Sequence, residues 1–221
     1  MHVTRRPRLI VVTGTDTGVG KTFVTAALTR WLRSNGIDAV ALKPIETGWD
    51  ETTSDARVLA DASGRSVADT VWQHFALPAA PKVAAEAEAR TIDRAELARW
   101  VWDAAAGSQV CFVEGAGGWL VPMGRGWRFR DAARDLSSRV LVVGRAGLGT
   151  INHSLLTLDA VQNTAQVIAM VLSVRPDDTP QVAHSNRTEI EAWTRVPIRL
   201  VPDDLAGLGT QLHVELTTGG R

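Results

Sequence analysis

Hydrophobic residues along the chain fall into short unbroken runs that alternate with segments of helical spacing. Six of the runs predict β-strands, over Leu9–Thr13, Ala39–Lys43, Val110–Glu114, Val140–Gly144, Val167–Val174 and Ile198–Val201. Runs without polar alternation are typical of strands that are covered on both faces. Because helical patterns separate these runs, they predict βαβ units, and hence an α/β fold in which a mostly parallel, doubly wound sheet is the middle of three layers.

The segments between the runs carry the helical patterns. Helices are predicted over Lys21–Ser34, Asp93–Ala106, Ile151–Val161 and Arg187–Trp193. Asp93 and Glu96 form a pattern like a capping box at the start of the second of these helices. Ser54–Ala56 (SDA) opens a further helical stretch, and the Gly- and Thr-rich tail from Leu205 to Arg221 is expected to be loosely held.

Composition and charge narrow the class of protein. The chain has 221 residues, of which 45% are hydrophobic and 22% charged, and these values fit a single α/β domain over residues 1–221. Lys+Arg and Asp+Glu both number 24, so the formal net charge is zero and no basic field would attract nucleic acid or an anionic membrane. Met1–Pro7 lacks the apolar core of a signal peptide, and no apolar run reaches the ~18 residues of a membrane span. We therefore expect a cytoplasmic protein without nucleic-acid or membrane partners.

Two rare residue types guide the search for chemistry. The single cysteine, Cys111, lies in an apolar run, so it is expected to be buried and inert. Only Lys21, Lys43 and Lys82 are lysines among the 24 cationic residues. Since the chain otherwise uses Arg, each Lys is a candidate for a site that needs a compact ammonium group, with chance survival as the alternative.

The segment Gly14–Thr22 (GTDTGVGKT) joins the first predicted strand to the first predicted helix, which is the context of a phosphate-binding loop. Its backbone N–H groups would hold a polyphosphate, Lys21 would reach the outer phosphates, and the Thr22 hydroxyl would bind Mg²⁺. The loop departs from the standard pattern because Thr15 stands where the first Gly is usual. A Gly-rich turn that binds nothing is the alternative, and the strand context together with the intact Gly-Lys-Thr ending opposes it.

Further polar groups are expected at the same edge of the sheet. Lys43 and Glu114 each end a predicted strand, and Asp55 begins a helical stretch. The carboxyl ends of strands in a doubly wound sheet face the ligand crevice, so these groups are expected beside Lys21. Thr22, Asp55 and Glu114 are candidate ligands of Mg²⁺. For each of the three charged groups a structural alternative remains: a solvated strand-end cation, a charge at a helix start, or a structural carboxylate.

The remaining candidates are weaker. Gly147–His153 follows the fourth predicted strand and opens a helix whose free N–H groups could hold a carboxylate, although such turns often only cap a helix. His74 and His184 lack the spacing of zinc ligands or of a catalytic triad, and His153 is expected to be a hydrogen-bonded helix residue and not a catalyst. Trp119 and Trp127 are expected in core or interface packing.

Five motifs occur together in an order and with gaps that resemble the dethiobiotin synthetase family of P-loop NTPases. They are GTDTGVGKT (Gly14–Thr22), KPIETG (Lys43–Gly48), SDA (Ser54–Ala56), EGAGG (Glu114–Gly118) and LGTINH (Leu148–His153), and the resemblance covers residues 8–160. It implies a Mg-NTP-dependent cyclo-ligase that makes the ureido ring of dethiobiotin from 7,8-diaminononanoate and CO₂. The reaction it implies passes through a carbamate and a carbamic-phosphoric anhydride, with ATP or another NTP as co-substrate.

The resemblance also implies roles for individual residues. The catalytic residues would be Lys21 and Lys43, and the metal ligands Thr22, Asp55 and Glu114. The nucleotide would contact Gly18, Val19, Gly20, Lys21, Thr22, Phe23, Asp55, Glu114, Gly115, Ala116, Gly117 and Pro202. The substrate would contact Thr17, Lys43, Thr47, Gly149, Thr150 and Asn152. The last three of these would act across the interface of a homodimer.

Two questions stay open at this point. The family usually has an adenine-reading Asn after the fifth strand, whereas this chain has Leu172-Ser173-Val174-Arg175, so the nucleobase preference is not predicted. A nucleotide-dependent switch or partitioning ATPase of the same fold is the alternative function, although such proteins commonly carry an additional Lys where this chain has Asp16. A small-molecule kinase would stop at phosphoryl transfer. Lys82 and the Arg125–Arg130 segment receive no role.

Overall fold

Six parallel strands form the central sheet, in a computed structural model that describes residues 6–137 and 139–218. Along the chain the strands are β1 (Arg8–Gly14), β2 (Ala39–Leu42), β3 (Ile45–Thr47), β4 (Gln73–Phe75), β5 (Val110–Gly118), β6 (Pro122–Gly124), β7 (Trp127–Arg128), β8 (Arg139–Arg145), β9 (Gln166–Ser173) and β10 (Ile198–Val201). The helices are α1 (Lys21–Ser34), α2 (Asp55–Ser63), α3 (Pro81–Ala87), α4 (Arg94–Ala105), α5 (Phe129–Leu136), α6 (Thr150–Gln162), α7 (Pro180–Trp193) and α8 (Leu205–Thr218).

The order of strands in the sheet is β10-β9-β8-β1-β5-β2. All neighbouring pairs are parallel. The chain crosses from β5 over β1 to β8, so the direction of winding reverses at β1, where an open α/β sheet usually binds its ligand. Two small sheets, β3–β4 and β6–β7, lie apart from the central one.

Helices cover both faces of the central sheet because its strands are apolar on both faces. Leu9 and Val11 of β1 belong to the core that contains α3 to α7, whereas Ile10 and Val12 belong to the core that contains α1, α2 and α8. The six predicted strands are the six strands of this sheet, and the expected three-layer, doubly wound α/β class is confirmed. Cys111 is buried as expected, and burial raises the pKa of its thiol to about 12.

One expectation about the last part of the chain is wrong, and one predicted helix proves to start earlier than expected. The tail is not loosely held through its described part: residues 205–218 form α8, and Leu208 and Leu212 are buried against the α1 side of the sheet. Leucines at helical spacing outweigh the Gly and Thr content on which the expectation relied. Residues 219–221 of the tail lie outside the described residues. Helix α7 begins at Pro180, before the expected start at Arg187, with Pro in its first turn.

None of the helices in the described ranges combines the length and the apolarity needed to cross a bilayer.

Leu212→Ala tests the docking of α8. Because Leu212 is buried, its truncation should lower the free energy of unfolding by about 2–5 kcal/mol. Thr210→Ala on the exposed side of the same helix should change it by less than about 0.5 kcal/mol. Urea unfolding followed by circular dichroism measures both, and equal stabilities for the two variants would contradict the docked helix.

Candidate active site

A cleft of about 600 Å³ opens at the carboxyl ends of β1, β2 and β5. Its walls are Thr17, Gly18, Gly20, Lys21, Thr22, Lys43, Glu46, Thr47, Asp55, Pro78, Ala79, Ala80, Pro81, Ala116, Gly117 and Val121. Residues 78–81 and Val121 form an apolar wall of the cleft, and polar groups of the loop after β1 contribute to the remaining lining. The cleft can therefore hold a ligand with a charged end and an aliphatic part.

The loop between β1 and α1 has the backbone of a phosphate-binding loop. Gly20 ends it with a φ of 98°, and a Cβ at this position would lie 2.8 Å from the Cβ of Ser173, so only glycine fits. Helix α1 begins at Lys21 without a side-chain hydrogen bond to its first turn. Its free N–H groups are therefore available to an anion at the positive end of the helix.

Lys21 and Lys43 both line this cleft, as the sequence predicts. Lys21 is 6% exposed, and its Nζ donates to the backbone carbonyl of Asp16 at 3.1 Å. Burial and then the nearby Lys43 ammonium lower the pKa of Lys21 to about 8, although neighbouring carboxylates oppose the shift. Among the described residues no carboxylate lies within hydrogen-bonding distance of Lys21 Nζ, whose partner is a backbone carbonyl. The Lys21 ammonium is therefore available to an incoming phosphate.

Lys43 has the opposite electrostatic environment. It is 3% exposed, and its Nζ donates to Glu114 Oε1 at 2.6 Å and to Asp55 Oδ2 at 2.8 Å. Burial alone would lower the pKa of Lys43, but the Glu114 and Asp55 carboxylates outweigh burial and raise the pKa above its ordinary value. Lys43 is thus a permanent cation at neutral pH.

The three candidate metal ligands also meet here. Thr22 Oγ1 donates to Glu114 Oε1 at 2.8 Å, and Glu114 Oε2 is buried with no hydrogen-bond partner among the described residues. Partial burial opposes ionisation of Asp55, but Lys43 lowers its pKa, so the carboxylate is charged. A hydroxyl, an ionised carboxylate and an unpartnered carboxylate oxygen make a donor set that suits Mg²⁺.

These three groups are too few to surround a metal ion unless a bound nucleotide supplies further oxygen ligands. No group of three or more Asp, Glu, His or Cys side chains that could hold a metal occurs among residues 6–137 and 139–218. Mg²⁺ in nucleotide sites is typically held by one or two carboxylates together with phosphate oxygens and water. The arrangement therefore fits a metal that arrives with a nucleotide.

Glu46 is a cleft residue that the sequence analysis quoted within a motif but did not assign. It lies on β3 and is buried, and its Oε1 and Oε2 accept from the backbone N–H groups of Asp55 and Ala56 at 2.6 and 2.9 Å. Burial raises its pKa, although these two hydrogen bonds oppose the shift. An acidic residue directly after buried Ile45, three positions from Lys43, was the signal that could have revealed it.

Some predicted contact residues line the cleft and others do not. Thr17, Gly18, Gly20, Thr47, Ala116 and Gly117 line it, whereas Val19, Phe23, Glu114, Gly115, Gly149, Thr150, Asn152 and Pro202 do not. Glu114 lies behind the wall, where it accepts hydrogen bonds from the lining residues Thr22 and Lys43. Val19 is a core residue, and Gly115 packs against the Phe129 ring. Phe23 is half-exposed in the first turn of α1, next to the phosphate loop.

Two arginines hold the phosphate loop from the β8–β9 side, and the sequence analysis did not assign them. The Arg175 guanidinium donates to the backbone carbonyl of Gly18. The Arg145 guanidinium lies 3.8 Å from Asp16 Oδ2. The sequence analysis noted the departure from the family pattern at Leu172–Arg175, and the arginine in that segment was the signal for the first of these contacts.

Comparisons with known proteins agree with this geometry. Residues 8–201 match a family model described as an AAA domain. The ATP-dependent dethiobiotin synthetase BioD of Anaeromyxobacter dehalogenans (strain 2CP-C) is 43% identical over 201 residues, which are 88% of this chain and 90% of that protein. The ATP-dependent dethiobiotin synthetase BioD of Aquifex aeolicus (strain VF5) is 41% identical over 165 residues, or 74% of this chain and 75% of that protein.

Solved structures support the fold alone. The cell division ATPase MinD of Pyrococcus furiosus has a TM-score of 0.53 and 15% sequence identity, over 93% of this chain and 98% of that one. With the family model and the loop geometry, this likeness confirms a P-loop NTPase fold.

Proton uptake on ligand binding tests the lowered pKa of Lys21. At pH 8.5 the Lys21 side chain is largely neutral in the free protein because its pKa is about 8. A bound polyphosphate stabilises the ammonium form and raises this pKa, so binding of Mg-ADP should take up a fraction of a proton. Calorimetric titration in two buffers of different ionisation enthalpy measures this uptake.

Two Arg variants serve as matched comparisons in this titration. Lys21→Arg keeps the positive charge but cannot titrate, so its proton uptake should vanish. Lys82→Arg, at a partly exposed lysine paired with Glu86, should behave like the wild type. Unchanged uptake in Lys21→Arg would show that another group titrates.

Proposed function

The chain belongs to the ATP-dependent dethiobiotin synthetase family, and from this premise we propose how its cleft performs the reaction of that family. It is a ligase of biotin biosynthesis that closes the ureido ring of dethiobiotin from 7,8-diaminononanoate and CO₂, using a nucleoside triphosphate. The observation that carries the assignment of residues is the meeting of two buried ammonium groups, Lys21 and Lys43, in one cleft.

The nucleotide binds along the loop before α1. The N–H groups of Gly18, Val19, Gly20 and Lys21 hold the phosphates at the positive end of the helix, and the Lys21 ammonium contacts the outer phosphate. Ala116 and Gly117 at the end of β5 form another part of the cleft wall. Phe23 and Pro202 do not line the cleft, and in this proposal they contact the nucleoside beyond the phosphates.

Mg²⁺ would be held by Thr22, Asp55 and Glu114 together with the phosphates. The unpartnered Glu114 Oε2 and the ionised Asp55 carboxylate support this set. When bound, the metal would neutralise charge on the phosphate oxygens.

Two threonines and the apolar wall bind the diamine. Thr17 and Thr47 line the cleft, and in this proposal their hydroxyls form hydrogen bonds with the amine end of the substrate. The apolar wall of residues 78–81 and Val121 packs against the methylene chain. Binding thereby places both nitrogen atoms near Lys43 and the phosphate loop.

Ring closure then follows in three steps. One amine adds to CO₂ and loses a proton to give a carbamate. A carbamate oxygen attacks the γ-phosphorus, and the nucleoside diphosphate leaves. The second amine attacks the carbonyl carbon and loses a proton, and phosphate leaves as the cyclic urea forms. Lys21 and Lys43 stabilise the negative charge between carbamate and phosphate throughout, and no side chain becomes covalently attached.

The alternative of a switch or partitioning ATPase has less support. Asp16 occupies the position at which such proteins commonly carry an additional Lys. Its carboxylate accepts from Thr17 N at 2.7 Å and pairs with Arg145, so the position serves to hold the loop.

A homodimer would complete the substrate site. Gly149, Thr150 and Asn152 begin α6, whose first turn has no side-chain cap, and they do not line the cleft of their own chain. The neighbouring Leu148 is 100% exposed, as expected of a residue that a second subunit covers. In the proposed dimer, this helix start binds the substrate carboxylate of the partner's site.

Lys43→Ala tests the proposed catalysis. Loss of the buried ammonium should lower turnover by ~10²-fold or more, since it removes charge stabilisation in the transition state. The assay follows label from bicarbonate into a cyclic urea in the presence of the diamine and a triphosphate. Lys82→Ala should retain normal turnover, and near-normal product from Lys43→Ala would refute the role of Lys43.

Mixing two inactive variants tests the shared site. A heterodimer of Lys43→Ala and Asn152→Ala chains contains one cleft in which Lys43 of one chain and Asn152 of the other are both intact. Mixing the two variants and allowing subunit exchange should therefore restore part of the activity. Each variant alone should remain impaired. If Asn152 served the cleft of its own chain, mixing would restore nothing, and the shared site would be wrong.

A further inference from the structure

We propose that Glu46 is a positioning residue for the ligase reaction, which holds Asp55 so that the Asp55 carboxylate faces Lys43 and the metal. The inference rests on the metal-binding role proposed for Asp55. Glu46 itself touches neither the metal nor the phosphates in this account, and it acts through the backbone at the start of α2.

The geometry of the Glu46 carboxylate is that of a two-point clamp. Its Oε1 accepts from Asp55 N at 2.6 Å and its Oε2 from Ala56 N at 2.9 Å. The two donors are consecutive residues in the first turn of α2. Charge-assisted hydrogen bonds at a helix N-terminus are among the stronger ones in proteins, and two on adjacent N–H groups fix the position and the orientation of that turn.

Helix capping alone does not account for this clamp. Ser54 already caps α2, because its Oγ accepts from Arg57 N at 3.2 Å. Glu46 comes from a different element, β3, and its side chain is buried, which is costly for a carboxylate unless its interactions are specific. What Glu46 adds to the cap is a connection between α2 and the segment that carries Lys43.

Asp55 needs such a connection because packing does not hold its side chain. The Asp55 side chain is 45% exposed, whereas that of its partner Lys43 is 4% exposed. An ion pair that includes a half-exposed carboxylate is easily replaced by contacts with water unless the position of the carboxylate is fixed. A closed loop of contacts connects Lys43 to Glu46 along the chain, Glu46 to the start of α2 through its two hydrogen bonds, and Asp55 back to Lys43 through the ion pair. Loss of the Glu46 hydrogen bonds would therefore loosen Asp55, the most exposed residue of this loop.

Magnesium dependence of nucleotide binding is the measurement that reports on Asp55 separately from catalysis. Glu46→Gln keeps the size of the side chain, but its amide can accept from only one of the two N–H groups and directs N–H donors at the other. We expect the Mg²⁺ concentration at half-saturation of ADP binding to rise about tenfold, measured by calorimetry at fixed ADP. In turnover assays kcat should fall by a similar factor, while KM for the diamine changes less than twofold.

Ser54→Ala is the matched control, since it removes the other cap of the same helix. It should lower thermal stability but leave the Mg²⁺ dependence within twofold of the wild type. Equal shifts in Ser54→Ala and Glu46→Gln would mean that Glu46 acts only through helix stability, and the inference would be wrong. If Glu46→Gln does not fold, Glu46→Asp, which keeps the charge on a shorter side chain, should show a smaller shift in the same direction.

Asp55→Asn separates this inference from the function on which it rests. If Asp55→Asn shifts the Mg²⁺ dependence and Glu46→Gln does not, the positioning role fails while the metal site stands. If neither shifts it, Asp55 is not a metal ligand, and both the positioning role and this part of the proposed function fail. Shifts of the Mg²⁺ dependence in both variants, together with a Mg²⁺ dependence of Ser54→Ala like that of the wild type, support the inference.

Discussion

The buried ammonium of Lys43 is the constraint on which the rest of the site depends. Taking an unpaired ammonium out of water costs several kcal/mol, so the fold must supply anions at a fixed place. Glu114 and Asp55 do so at 2.6 and 2.8 Å. Because Glu114 also accepts from Thr22, a single cation ties β2, β5, α1 and α2 together at one edge of the sheet.

The same constraint explains why the two lysines differ. Lys43 keeps its carboxylates and its charge, whereas Lys21 donates only to a backbone carbonyl and has a pKa lowered to about 8. The Lys43 ammonium is therefore held by groups of the protein itself, whereas in the proposed function the Lys21 ammonium gains its partner when phosphate binds. A site that must hold a carbamate and accept a triphosphate can use both kinds of cation. Lys43 organises the site before the substrates bind, and Lys21 responds to their binding.

Much of the fold was predictable because it depends on local pattern. Unbroken apolar runs identify the strands of the central sheet, and the alternation of Leu9 and Val11 with Ile10 and Val12 between the two cores shows why neither face could be polar. The tail was misjudged because its glycines were given more weight than its leucines. Gly209 is required there, since the Trp31 ring occupies the space of any side chain, and that close contact between α1 and α8 has no local signature.

The sequence by itself determined the phosphate loop, the two lysines, the acids at the strand ends and, through their combined order, the family. Only the tertiary structure decided that Glu46 clamps Asp55, that Arg175 holds Gly18, and that Glu114 Oε2 stays without a partner. The reason is physical. A sequence motif reflects the requirements of residues that are close together along the chain. The partners of a buried or charged group are instead decided by packing, which brings together distant residues such as Arg175 and Gly18, separated by 157 positions.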